Sequence, residues 1–337
     1  MAGETSLTRE YEDVLTTTRD MVRPLMSDNI TARIPTLLWL NKMGRKELWP
    51  GGAQLHFNVF KELTSAQGYT DLDVVTTTRA ENMTRAAYEW KQFQSPVTLS
   101  GRDMLRNNGE PAIVNLVTAR IEAAVLSLAE LLGGRVSGVF SNNTESTLTS
   151  LTGLQALVST TPTAGTVGNI SRTNGFWQNQ NDSVATNFTT DGLISMRSLW
   201  LQCSFGSDIP NVVAFNRSTF ENYMRALQGT LSYNLPYGAS PAPSVANQST
   251  LDLGVNTLSF FGAPVIYDDG VPANIGYFLN SKYIHFVTHV DRDFDLGEFV
   301  VTSDTDAIYS HIWFAGELCF SGMRYHGSLS GTLDTFS

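Results

Sequence analysis

One stretch limits the fold more than any other. In "NNGEPAIVNLVTARIEAAVLSLAELLGGR" the residues Ile113, Leu116, Val117, Ile121, Ala124, Val125, Leu128 and Leu132 recur at intervals of three and four, which draws one continuous apolar stripe. Pro111 sits where a first turn tolerates proline, and Gly133 and Gly134 stop the pattern. The spacing predicts a helix of about twenty residues, near 30 Å long. Its polar face, with Asn115, Arg120, Glu122 and Glu130, carries no pairing suited to chemistry. Such a helix is a rod against which the rest of the chain has to pack.

The segment before it changes period. Leu55, Phe57 and Val59 alternate with Gln54, His56 and Asn58, the signature of a strand with one covered face. Its expected partner is "AAYEWKQFQSPVTLSG", Ala86 to Gly101, across the long polar stretch "TSAQGYTDLDVVTTTRAENMT". A two-stranded hairpin alone is marginal in water. Its covered face is therefore expected to come from another copy of the chain, with an edge hairpin packed on its own domain as the alternative. Upstream, the first thirty or so residues read as a polar arm, and "IPTLLWLNKM" as a short apolar helix or strand.

Downstream, two further helices are predicted. "DGLISMRSLWLQCSF" has Asp191 as its cap, and "NRSTFENYMRALQG" has Ser218 and Glu221 at capping-box spacing. The second follows the short strand "PNVVAF". After the Pro/Ser/Ala-rich "LPYGASPAPSVANQST" come strand-like runs, from "TLSFFGAPVIYDD" to "HIWFAGELCFSGMRYHGSL", expected to form a sheet on the long helix. With 337 residues the chain is long enough for two lobes, and the fold class is α+β.

Composition narrows the function. Only 16% of residues are charged and the net charge is −10, with no basic stripe, which disfavours nucleic-acid readout through phosphate neutralisation. Cys203 and Cys319 lie in apolar runs and read as buried thiols rather than a bridge. No N-terminal signal peptide and no membrane-spanning run is visible, and the N-x-S/T triplets at Asn29, Asn82, Asn187 and Asn216 are expected by chance in so polar a chain.

Candidate chemistry is sparse. In "GLQALVSTTPTAGTVGNISRTNGFWQNQ" the glycines 165 and 168 fit neither a Walker nor a dinucleotide pattern. Phe176 and Trp177 amid asparagines could offer a sugar platform, but packing is the expected role. In "HFVTHVDRDFD", His285 and His289 share a strand face ahead of Asp291, Asp293 and Asp295, yet a third ligand and a general base are missing. His56, His311 and His326 are expected to be structural. No catalytic residue, metal site or cofactor is assigned.

Taken in order, arm, hairpin, long helix, α+β lobe and returning sheet resemble the tailed-bacteriophage major capsid proteins of the HK97-like fold. The stretch "GLQALV…GTVGNISRTNGFWQNQ" resembles their passage from spine helix to A-domain, "DGLISMRSLWLQC…PNVVAFNRSTFENYMRAL" their A-domain, and "GELCFSGMRYHGSL" their closing strand. The resemblance implies an N-terminal arm and short helix at 1–43, an extended β-hairpin E-loop at 44–101, and a P-domain spine helix at 102–136. It further implies an A-domain at 137–257 and the P-domain β-sheet with the C-terminal strand at 258–337. It implies no enzyme but a virion protein, assembled in the host cytoplasm. Hexamers and pentamers of it would form an icosahedral head around double-stranded DNA, without sequence-specific contact or membrane. A separate scaffolding protein and a portal are implied as partners, and a decoration protein is left open. Contacts between subunits are expected at Trp49, Leu55, Phe57, Val59, Lys61, Tyr88 and Trp90. Some members join an E-loop lysine to a neighbour's asparagine; Lys61 lies in the hairpin, with no visible activating acid. The alternatives are an encapsulin-like compartment and, further off, a carbohydrate-binding or hydrolytic enzyme.

Overall fold

The computed structural model describes residues 34–62, 66, 68–71, 81–102, 110–144, 146–231, 258–301 and 306–335, without the side chains of 110–115 and 228–231. The expected arm and the Pro/Ser/Ala-rich segment lie outside the described residues.

A short helix, α1 (Pro35–Lys42), opens with proline in its first turn and buries Leu37, Trp39 and Leu40. The long helix, α2 (Glu110–Gly133), follows the predicted stripe: Val117, Ile121, Ala124, Val125, Leu128 and Leu132 are all buried. It lies across β4 (Lys91–Ser100), whose residues alternate strictly between buried and exposed.

Two sheets of six strands carry the rest. Sheet one is built around β15 (Ala307–Phe320), which is rich in aromatic and β-branched residues. One edge of β15 takes all of β4, from Ala307 opposite Ser100 to Gly316 opposite Lys91. It also pairs antiparallel with β12 (Ile284–His289), β13 (Asp295–Leu296) and β14 (Val300–Val301), and β1 (Lys46–Trp49) runs parallel to β12. Beside it stands the hairpin of β2 (Leu55–Phe60) and β3 (Met83–Tyr88), with Leu55 opposite Tyr88 and Phe60 opposite Met83. The hairpin partner is thus Met83–Tyr88. The second half of the expected partner, Lys91–Ser100, turns away at Glu89–Trp90 and joins sheet one.

Sheet two has the order β7 (Gln180–Val184), β16 (Gly327–Gly331), β11 (Ile275–Leu279), β8 (Val212–Phe215), β10 (Ala263–Tyr267) and β9 (Leu258–Phe260). Val212, Ala214, Tyr277 and Leu279 face the core shared with α2, while Val213, Phe215, Phe278 and Leu329 face a second core under α4 (Leu193–Cys203) and α5 (Arg217–Leu231). The short α3 (Leu154–Leu157) and the small pair β5 (Thr166–Val167) and β6 (Ile170–Ser171) lie between α2 and β7 in sequence. The run 258–337, expected to build one sheet, is divided between two, because β9, β10, β11 and β16 pair with β8 and β7 instead. Among the described residues no helix is long and apolar enough to cross a membrane.

Both predicted caps are also corrected. At α4 a π-helical turn, Phe188–Gly192, precedes the helix and Asn187 accepts the Thr190 amide proton. At α5, Asn216 Oδ1 accepts from Thr219 N at 2.8 Å, and its amide donates to both carboxylate oxygens of Asp334 at 3.1 and 3.2 Å. The acid from the far end of the chain orients the cap, so Ser218 is not needed for it. Asn216→Ala is expected to lower stability by about 1–2 kcal/mol, whereas Ser218→Ala changes it little; thermal melts of the two variants check this.

Candidate functional site

The hairpin root is where the sequence-selected residues meet. The Phe57 ring stacks on His285 at 4.6 Å, lies 5.6 Å from Trp49 and meets Tyr88 edge-on at 6.2 Å. The Tyr88 hydroxyl donates to Phe320 O at 2.9 Å and accepts from Phe320 N at 3.2 Å, which ties β3 to the end of β15. Trp90 packs against His289 at 5.5 Å and donates to Gly52 O at 2.9 Å. The face carrying Leu55, Val59, Ala86 and Tyr88 is buried within the subunit itself. The expectation that another copy supplies this cover is therefore corrected. Part of the cover comes from the glycine-rich stretch: Ala87 N donates to Gly168 O at 3.0 Å, and Gly168 approaches Ala86 and Tyr88 directly.

Of the selected residues, Trp49, Phe57 and Trp90 are partly buried and Lys61 is exposed. The opposite face of the hairpin differs. There Phe60 and Met83, paired across the strands, are 68% and 60% exposed.

The stretch from Gly153 to Gln180 holds its own backbone together. Arg172, buried, donates to Ala156 O, to Leu157 O at 2.6 Å and to Asn179 Oδ1 at 2.9 Å, satisfying carbonyls at the end of α3. Asn179 donates to Ser159 O and Gln180 O. Trp177 is fully buried and donates to Val167 O at 2.8 Å, so it presents no platform to a sugar. Gly168 adopts φ +60°, and a Cβ there would sit 3.0 Å from Ala86 Cβ. Gly168→Ala is expected to destabilise by roughly 1–3 kcal/mol and to loosen the hairpin root, measurable as faster amide exchange in β3.

The histidines and aspartates make separate polar contacts with their neighbours. His285 Nδ1 lies 2.6 Å from Glu47 Oε1 and its Nε2 3.1 Å from Ser321 Oγ; Asp293 pairs with Lys46 at 2.6 Å. Asp291 N donates to His289 Nδ1. Among the described residues no group of three His, Cys, Asp or Glu is placed to hold a metal. His326 is wholly buried, which pushes its imidazole down to about 3, and it accepts from Asn280 N at 3.2 Å as a neutral ring.

Sequence reasoning missed the most consequential pair. Lys91 and Glu317 are both fully buried, 3.8 Å apart. Glu317 accepts from Thr152 N at 2.9 Å, Thr152 Oγ1 at 3.1 Å and Leu318 N at 2.8 Å. The signal for Lys91 was present: it shares the inward parity of Phe93, Val97 and Leu99. Burial pushes Glu317 up to about 8, outweighing the opposite pull of Lys91 and the three hydrogen bonds. Because the folded state holds this proton more tightly, its contribution to stability is complete below the ordinary glutamate value of 4.5 and is lost as pH rises through about 8. Glu317→Gln is expected to flatten that slope in pH-dependent melts. Lys91→Met is expected to move the pH at which this contribution is lost upward, because it removes the pull that holds Glu317 down; pH-dependent melts of the variant check this.

No family model and no curated protein sequence matches the chain. Solved structures do. The cyanophage A-1(L) capsid asymmetric unit superposes with a TM-score of 0.58 at 14% identity, over 87% of this chain and 93% of that one. The capsid of cyanophage P-SCSP1u gives 0.53 at 11% over 85% and 86%, and the capsid of a native GTA particle 0.53 at 11% over 87% and 90%. This is a phage capsid-protein fold. Most of both partners is covered, so the likeness extends over most of the chain rather than over one lobe.

Proposed function

We propose that the chain is the major capsid protein of a tailed phage, forming hexamers and pentamers of an icosahedral head around double-stranded DNA. The observation that carries this reading is the two-way coverage by capsid subunits at a TM-score of 0.58. In this reading the β2–β3 hairpin is the E-loop, α2 with sheet one the P-domain, and sheet two with α4 and α5 the A-domain. The strands β9–β11 and β16 then side with the A-domain, which moves the boundary expected at residue 258.

The hairpin supports assembly in a particular way. Its root is fixed by the aromatic cluster, while Phe60 and Met83 stand apolar and open on the outward face near its distal end. Such a pair gains by being covered, and the neighbouring subunit is the surface a shell provides. Lys61 is exposed beside them and donates its backbone N–H to Asn82 O at 2.8 Å. The net charge of −10 suits a wall that packaged DNA slides along without sticking. Scaffolding and portal proteins would be recruited as separate chains.

Electron microscopy of the purified chain, alone and co-expressed with other virion proteins, tests the reading. Closed shells with six-fold and five-fold faces are expected. Discrete monomers or dimers under both conditions would overturn it, and small DNA-free shells filled with protein would favour a compartment instead. Phe60→Asp combined with Met83→Ser is expected to leave the melting temperature within a few degrees while reducing shell yield at least tenfold.

A further inference from the structure

Ser321, the residue after β15, completes a line of three polar side chains at the hairpin root. His285 Nε2 lies 3.1 Å from Ser321 Oγ, and His285 Nδ1 lies 2.6 Å from Glu47 Oε1. The three come from neighbouring strands, because β12 runs parallel to β1 on one side and antiparallel to β15 on the other. An ionised carboxylate only accepts hydrogen bonds, so in the neutral ring the proton sits on Nδ1. That leaves Nε2 as the acceptor for the serine O–H. Hydroxyl, imidazole and acid thus stand as a nucleophile, its base and the group that orients the base.

Further contacts hold each member. Trp49 Nε1 donates to Glu47 Oε2 at 3.1 Å, so both carboxylate oxygens are directed. Phe57 stacks on the His285 ring at 4.6 Å, and Ser321 N donates to Tyr283 O at 3.0 Å. The line is not sealed: the His285 and Glu47 side chains are 15% and 32% exposed, and Ser321 is partly exposed. Beside the serine, the rings of Tyr283 and Tyr325 stack 4.0 Å apart against Gly322, where a Cβ would sit 3.0 Å from Tyr283 Cδ1. The Gly322 amide has no backbone acceptor among the described residues, and it is the donor left beside the nucleophile for a developing oxyanion.

We propose that Ser321 is a nucleophile for acyl transfer from activated esters of apolar acids, with His285 as its general base and Glu47 as the positioning residue. The proposal does not depend on shell assembly. Ser321 Oγ attacks the ester carbonyl carbon while its proton passes to His285 Nε2. The bond to the alcohol oxygen then breaks, and that oxygen takes the proton, leaving the acyl group on Ser321. Water, deprotonated by the same imidazole, releases the acid and restores the serine, so acid and alcohol are the products. Two features set the substrate class. The ring of Phe57 at the histidine and those of Tyr283 and Tyr325 at Gly322 suit an apolar acyl group. With the Ser321 amide committed to Tyr283, a single backbone donor favours a good leaving group over an amide.

The test treats the purified full chain at neutral pH with a fluorophosphonate, whose fluoride leaves as the serine oxygen bonds to phosphorus, and maps the adduct by peptide mass spectrometry. Modification confined to Ser321 is expected, together with release of nitrophenolate from a nitrophenyl ester of butyric acid. Ser321→Ala is expected to melt as the wild type does and to lose both. His285→Gln is expected to slow labelling about a hundredfold. Glu47→Gln is expected to slow it about tenfold or more with an unchanged melt, because an amide that donates to Nδ1 turns the ring's proton to Nε2. A merely structural contact would leave the labelling rate of that variant unmoved. Should His285→Gln lower the melt, the Glu47→Gln rate decides. Wild-type Ser321 left unmodified, or labelled no faster than other exposed serines, would overturn the proposal, and so would labelling at the wild-type rate in Glu47→Gln.

Discussion

Glu317 is the point on which three separate pieces of this chain close. It lies in β15, the strand that organises sheet one; it faces Lys91, the first residue of β4 after the hairpin; and it takes both polar groups of Thr152, next to the glycine that begins α3. A buried carboxyl is expensive unless its partners are all in place. A misplaced hairpin exit, a slipped β4 or a displaced loop would each strand it. The pair therefore contributes less through attraction than through the penalty it puts on every alternative arrangement.

That constraint gives a hairpin that is marginal alone a fixed root. With β4 held in register along ten residues of β15, the chain leaves sheet one at a fixed place, and Trp90, Tyr88 and Phe57 are delivered onto His289, Phe320 and His285. Gly168 then closes the face from the other side. The root belongs energetically to the subunit, while the opposite face, with Phe60 and Met83, does not. In the proposed shell such a hairpin would meet a neighbour at a fixed place only if its base does not swing, and the base is where the buried aromatic residues lie.

Elements whose evidence is periodic were legible in the sequence. The stripe of α2 and the alternation of β2 emerge from spacing alone, because burial on one side imposes period 3.6 or 2. The division of 258–337 between two sheets was not legible. Strands such as Ala263–Tyr267 and Ile284–His289 are equally apolar runs, and nothing local in either says whether its neighbour is Val213 or Leu318. The cap of α5 was misplaced by two residues: Asn216, which precedes the helix, takes Thr219 N, and Asp334, more than a hundred residues later, holds its amide. Lys91 was readable as inward-facing by parity, but its partner Glu317 lies far along the chain, and a lysine in a buried register looks like an error until that partner is known. The aromatic residues expected to touch another subunit, Trp49, Phe57, Tyr88 and Trp90, gather at the hairpin root, where Tyr88 is buried and the other three partly so.

Charge decides how copies of such a chain can hold together. Each carries a net −10, and close packing sets like charges within reach of one another, screened only beyond about 10 Å at moderate salt. Ion pairs between copies would have to overcome that repulsion with 22 lysines and arginines against 32 acids. Apolar contact carries no such burden, because its strength does not depend on the sign of what lies around it. In the proposed assembly, exposed apolar residues such as Phe60 and Met83 would supply the attraction, and a low charged fraction keeps the repulsion they must exceed small. Assembly built this way should strengthen as salt screens the acids, the opposite of an association held by opposite charges.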